Sequence, residues 1–234
     1  MKREDLVRVL AIVGGALVLV VALVVATRLG HHTNKPSASA IQLDSVNEML
    51  SGIPQKGITL GNANARLTLV EFADPQCPFC GEWGRTVLPT LVQNYIRSGK
   101  LRIEFRGLDF VGPDSVRLLR LAQAAGLQNK LWNVVELEYE NQGTENTGFA
   151  TDAFMKAIVQ AVPGLDAGKA LSTWNTSAVV PMVNAAQKLA SQTFKQISTP
   201  SFLLGPTGAK PTQTITNTID GQTFTDAINA QLKK

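Results

Sequence analysis

Cys77 and Cys80 are the only two cysteines in this chain of 234 residues, and they stand three apart in "ADPQCPFCGEW", residues 73–83. Thiols at that spacing are open to four kinds of chemistry. They could form half of a zinc site, but such a site needs two more ligands. No third cysteine exists, and the only histidines, His31 and His32, lie in a polar stretch near the N-terminus. One thiol could be a protease nucleophile, but no histidine lies in the rest of the chain to pair with it. The pair could be inert, or a fixed disulfide, although closing so short a loop stabilises little through chain entropy. Finally, it could be a redox dithiol that exchanges disulfides with other proteins through a mixed disulfide.

The fourth reading has the best local physical basis. "TLVEF", 68–72, reads as a strand that delivers Cys77 to a turn. Pro78 suits the first position of a helix, where an N–H would have no partner. Cys77 then sits at a helix N-terminus, with unpaired amides and the positive dipole end facing its sulfur. That setting favours thiolate over thiol. Cys80, one turn later on the same face, is within reach to form or break the bond.

The elements around the pair follow from periodicity. "IQLDSVNEMLSG", 41–52, puts Ile41, Val46, Met49 and Leu50 on one helical face, ended by Gly52. "KGITLGN" reads as a short edge strand, and "RLTLVEFAD", 66–74, as a stronger one bounded by Asp74-Pro75. A helix is expected from Cys77 to about Arg97, kinked at Pro89, with Leu88, Leu91, Val92 and Tyr95 or Ile96 inward. "LRIEFRGLDF", 101–110, is strand-like. A long helical stretch, roughly 114–190, opens with Asp114 as candidate N-cap and breaks near Gly126, Gly143 and Pro163-Gly164. "TPSFLLG" and "QTITNTID" resume strand character, and "GQTFTDAINAQLKK" is a terminal amphipathic helix. This order fits one compact α/β domain interrupted by helices.

The N-terminus adds a compartment. Val9 to Ala26 carries no charge over 18 residues, about 27 Å of helix and close to a bilayer core. Lys2, Arg3 and Arg8 precede it and Arg28 and Lys35 follow it, a small excess of basic residues on the N-terminal side that favours a cytoplasmic N-terminus. The alternative is a cleaved signal peptide ending at Val24-Val25-Ala26, although the apolar run is long for one. Either way the remainder is exported. "HHTNKPSASA", 31–40, reads as a flexible tether. Residues 1–40 carry five Lys/Arg against two Asp/Glu, and the rest 17 against 16. The folded part is thus nearly neutral and lacks the electrostatic footprint of a nucleic-acid binder.

"TLVEFADPQCPFCGEW" resembles the active-site entry of the DsbA-like thiol:disulfide oxidoreductases. The resemblance covers about residues 56–232. "KGITLGNANARLTLVEFAD" matches the usual lead-in, and "ENQ" at 140–142 and "ISTPSFLLG" at 197–205 recur in similar form. It implies a thioredoxin-like α/β fold with an inserted α-helical domain, behind one N-terminal transmembrane helix. The organisation would be a cytoplasmic tip and anchor at 1–30, a tether at 31–40, the thioredoxin-like domain at 41–112 and 193–234, and the insertion at 113–192.

Residue by residue, the resemblance implies that Cys77 is the attacking thiol and Cys80 the resolving one. Thr199-Pro200 matches the dipeptide that holds a cis-proline beside the dithiol, with the Thr199 backbone binding substrate in extended form; its other reading is an ordinary trans proline that starts an edge strand. Glu71 stands where relatives keep a buried acid that relays protons to the resolving cysteine. Its other reading is a solvent-facing strand glutamate, and alternation with Val70 and Phe72 does not settle burial. Pro78 and Phe79 form the tuning dipeptide, and here the chain departs from the strong oxidants, which have histidine before the second cysteine. The resemblance implies no metal or organic cofactor, exported protein substrates with cysteines, and a membrane partner for reoxidation. A reductase or isomerase, and a redox-inert envelope scaffold, are the alternative functions.

Overall fold

A computed structural model describes residues 44–234, so the apolar run 9–26 and the tether 31–40 lie outside the described residues. Among the described residues no helix is long and apolar enough to cross a membrane. In chain order the elements are α1 (Asp44–Leu50), β1 (Gln55–Lys56), β2 (Thr59–Leu60), β3 (Leu67–Ala73), α2 (Pro78–Thr86) and α3 (Leu88–Leu91). A π-helical turn (Val92–Ile96) leads to β4 (Leu101–Gly107). Then come α4 (Pro113–Gly126), α5 (Leu131–Glu140), α6 (Asp152–Gln160), α7 (Ala167–Thr173) and α8 (Val180–Thr193). The chain closes with β5 (Ser201–Pro206), β6 (Gln213–Thr216) and α9 (Gly221–Leu232).

The strands form one sheet of six in the order β1-β2-β4-β3-β5-β6. Only β3 and β4 run parallel, joined by the crossover through α2 and α3. Central β3 is covered on both sides, which is why its sequence reads as a nearly continuous apolar run. Leu67, Leu69 and Ala73 belong to the main core with Trp83, Phe202 and Phe224. Phe72 points the other way, into a smaller cluster with Leu108 and Ala190, where it meets Phe194 edge-on at 5.1 Å. Successive strand side chains alternate between faces. Glu71 therefore shares the main-core face with Leu69 and Ala73, in register between Phe105 of β4 and Phe202 of β5.

Three local expectations need correction. "KGITLGN" is not one edge strand: it spans the turn of a β1–β2 hairpin, with β1 outermost and β2 paired to β4. The helix expected over 77–97 stops at Thr86, resumes as α3, and ends in π-helical hydrogen bonding, with Arg97 N donating to Val92 O at 3.0 Å. Asp114 is not the N-cap of α4. Pro113 takes the first helical position and moves the cap back to Gly112. The Asp114 carboxylate instead accepts the Gly148 N–H at 2.9 Å.

The segment expected as an insertion holds α4 to α8, between β4 and β5. Its helices share one core with the sheet: Phe105 meets Trp132 at 5.9 Å, and both lie in the main cluster.

Candidate active site

β3 ends at Ala73, a turn closed by Cys77 N donating to Asp74 O at 3.0 Å follows, and Cys77, in extended backbone (φ −65°, ψ 118°), is the N-cap of α2, with Pro78 the first helical residue. Cys80 follows one turn later. Both thiols are free, and Cys77 keeps 6 % of its surface while Cys80 keeps none. This small difference in depth accompanies a large one in acidity. The hydrogen bond from the Cys80 thiol favours the Cys77 thiolate most; the Thr199 side chain and the N–H groups of Cys80 and Phe79 add to it, and partial burial opposes it. Together they lower the Cys77 pKa to about 6. Cys80 is pushed the other way, well above the ordinary thiol range, by burial, by the bond it donates to Cys77 and by the charges of Cys77 and Glu71. One sulfur is thus poised as a thiolate beside a proton-holding partner.

Thr199 and Pro200 close the site from the strand side, and the peptide bond between them is cis. The Thr199 carbonyl lies 3.4 Å from the Cys77 sulfur, where it accepts the thiol proton whenever Cys77 is protonated. A groove of about 320 Å³ opens beside them, lined by Phe79, Ser198, Thr199, Pro200, Asn217 and Ile219 among others. Phe79 is 60 % exposed at its rim. Glu71 lies beneath the dithiol, 1 % exposed, and its Oε1 has no hydrogen-bond partner. Burial raises its pKa well above the carboxylate range, and the charges of Glu136 and Cys77 raise it further. Thus the structure brings Glu71, Cys77, Pro78, Phe79, Cys80, Thr199 and Pro200 to one end of β3, although 122 residues separate Cys77 from Thr199.

Sequence reasoning missed the polar frame that holds the entry to the dithiol. Asp74 Oδ1 accepts the Gln76 N–H at 2.8 Å and the Ser115 hydroxyl at 2.6 Å, and its Oδ2 accepts the Val111 N–H at 3.0 Å. Gln76 and Asn146 are joined twice, through Asn146 N to Gln76 Oε1 at 2.7 Å and Gln76 Nε2 to Asn146 Oδ1 at 3.4 Å. The Tyr139 hydroxyl donates to the Asp74 carbonyl at 3.4 Å. Gln142 Nε2 donates to the carbonyls of Pro75 and Cys77 at 2.8 and 3.2 Å. Every buried backbone carbonyl needs such a partner, and here the helical segment supplies them. Only Gln142 left a trace in the sequence, within the recurring "ENQ". Among the described residues no cluster of three or more His, Cys, Asp or Glu is placed to hold a metal.

The chain is similar to known proteins in sequence and in fold. A family model described as thioredoxin matches residues 54–228. A probable disulfide bond formation protein D of Bacillus cereus is 29 % identical over 194 residues, 82 % of this chain and 85 % of that protein. Among solved structures, oxidised BdbD of Bacillus subtilis matches with a TM-score of 0.67 at 19 % identity, over 79 % of this chain and 98 % of that one. The alpha-DsbA1 protein of Wolbachia pipientis matches with a TM-score of 0.64 at 18 % identity, over 80 % and 95 %. With the fold, the dithiol at the head of α2 and the family model all in agreement, the chain belongs to the thioredoxin family, as a DsbA-like thiol:disulfide oxidoreductase.

Proposed function

We propose that this protein forms disulfides in exported proteins, working outside the cytoplasm through the Cys77–Cys80 pair while residues 9–26 anchor it in the cell membrane with the N-terminus inside. The observation that carries the reading is the opposed acidity of the two thiols: Cys77 at about 6, Cys80 well above its ordinary range. A stabilised thiolate makes Cys77 a good leaving group and keeps the reduced form favourable, which is what makes a dithiol oxidising.

In the oxidised protein a substrate thiolate attacks Cys77 Sγ. The Cys77–Cys80 bond breaks, and its electron pair leaves with Cys80, which takes a proton from Glu71. A second substrate thiolate then attacks the substrate sulfur of the mixed disulfide. Cys77 departs as thiolate, and the substrate leaves with a disulfide. The two electrons stay on the Cys77/Cys80 dithiol until a membrane partner removes them. The Thr199 backbone beside Cys77 and the groove at Phe79 would hold the substrate in extended form.

Two measurements test this reading. Cys80→Ala removes the resolving thiol, so envelope proteins should accumulate as mixed disulfides on Cys77, and Cys77→Ala should trap none; a Cys80 variant without adducts on a non-reducing gel would sink the exchange mechanism. Direction is read by titration of the folded domain against glutathione. Phe79 supplies no charge or donor to the thiolate, which favours a milder oxidant, still above thioredoxin at about −270 mV. A value at or below that would make the protein a reductase.

A further inference from the structure

α5 brings a second acid to the dithiol helix. Glu136 is 3 % exposed, and its carboxyl lies directly on the backbone of α2: a Cβ added at Gly84 would stand 2.7 Å from Glu136 Oε2. Glycine at 84 is what lets an acid from another helix approach so closely. Behind the carboxyl is a cleft of about 300 Å³, lined by Ser45, Glu48, Met49, Gly84, Arg85 and Glu140 among others. None of its lining residues also lines the groove at Phe79 and Pro200. On its inner side lies Glu71, whose Oε1 is buried without a partner; no direct hydrogen bond joins the two acids, but the Glu136 charge raises the Glu71 pKa, and the Glu71 charge raises that of Cys80.

We propose that Glu136 is a second proton-relay residue serving Cys80 through Glu71, and that the cleft beside Gly84 is the solvent exit of this relay. The proposal rests on the exchange mechanism given above. It answers a problem that mechanism creates. In the mixed disulfide the substrate covers Cys77 and the groove, so Cys80 and Glu71 cannot trade protons with water on that side. The cleft stays open. When Cys80 leaves as thiolate it takes the Glu71 proton, the Glu71 carboxylate is reprotonated from Glu136 through an intervening water, and Glu136 recovers a proton from water in the cleft. One proton enters from solvent, and the two electrons come from the substrate. Reoxidation runs the path in reverse.

The charges around Glu136 fit this task. Burial raises its pKa to about 8, with Glu140 of the same helix raising it and Arg85 of α2 lowering it. Glu48 of α1 lines the cleft, and Glu71 of β3 lies behind. The charged groups of α4 (Asp114, Arg117, Arg120) and α6 (Asp152, Lys156), which also pack on α5, are not among the influences on it. The acid can therefore both hold and release a proton near neutrality, as a relay must.

Glu136→Gln keeps the shape and removes the proton transfer, and Glu136→Asp keeps the acid. The experiment oxidises a small peptide dithiol with each full-length oxidised protein by stopped flow across pH, alongside the Cys77 titration by thiolate absorbance and urea unfolding. The expected result is an inflection near pH 8 in the wild-type rate, absent in Glu136→Gln, restored in Glu136→Asp, with exchange slowed about tenfold in the Gln variant. Cys77 should still titrate near 6 in all three proteins. An unchanged profile in Glu136→Gln, with Cys77 titrating as expected, overturns the relay and leaves Glu136 a structural neighbour of Arg85. An ordinary thiol pKa at Cys77 in the wild type would instead overturn the exchange mechanism itself, whatever Glu136 does.

Discussion

The two sides of α2 are built from different materials. Toward the sheet, Trp83 packs 4.9 Å from Phe202 and 5.8 Å from Phe224, and none of the three is exposed. Toward α5 the helix presents Gly81 with Gly84 and Arg85, three and four residues further on and so on the same face. There the contacts are polar. Arg85 Nη1 donates to the Tyr139 carbonyl at 2.7 Å. A Cβ at Gly81 would stand 2.9 Å from Gln142 Oε1, just as one at Gly84 would meet Glu136. Aromatic burial holds the helix down, while the polar side, through Gln142 on the Pro75 and Cys77 carbonyls, holds the turn from which the helix N-terminus meets the sulfur. The difference teaches that stability and redox tuning sit on separate faces of one short element and can be changed separately.

The strongest way to break that comparison is Trp83→Ala. Removing a fully buried indole should cost about 3–5 kcal/mol in urea unfolding, with the Cys77 pKa in the surviving native protein almost unmoved. A large shift in that pKa would show that the apolar side tunes the thiol after all.

The next effect is read in the pH dependence of stability. The folded pKa of Cys77 is depressed, from 9.0 to about 6. A depressed acid contributes its full stabilisation above the unfolded pKa and loses it as pH falls through the folded one. Reduced wild type should therefore gain stability over reduced Cys77→Ser as pH rises from 6 to 9. Buried Cys80 and Glu71, with raised values, work in the opposite direction; burial, the largest cause of both shifts, is common to the two proteins, and only the smaller part that comes from Cys77 is lost in the serine variant. A flat difference across that window would mean that the helix start does not favour the thiolate.

The smallest change sharpens the polar side. Gln142→Ala removes the donor to the Pro75 and Cys77 carbonyls and should cost about 1 kcal/mol. It should also loosen the loop that aims the Phe79 and Cys80 N–H groups at the sulfur, so the Cys77 pKa should rise. Thiolate absorbance against pH measures this directly. A stability loss with no change in titration would make Gln142 a strut and nothing more.

The sequence by itself determined what depends on short spacing. Two cysteines one turn apart, a proline after the first and an apolar strand before it are all local, and so is the physics that makes Cys77 a helix-start thiol. The element order was legible for the same reason, since apolar periodicity marks strands and helices. Tertiary structure decided the rest. Glu71 could have faced either way until its register between Phe105 and Phe202 set it in the core. Ser115, Tyr139 and Asn146 carry no signal of their own, because their partners at Asp74 and Gln76 lie 41, 65 and 70 residues away. Asp114 read as a cap because the type was right, but Pro113 ahead of it claims the first helical position and leaves the carboxylate to bond a distant amide. Glu136 reads as an ordinary helix glutamate until α5 is laid across Gly84. Chain-local patterns report which conformation a segment prefers; which groups are buried against which is settled only when distant segments pack.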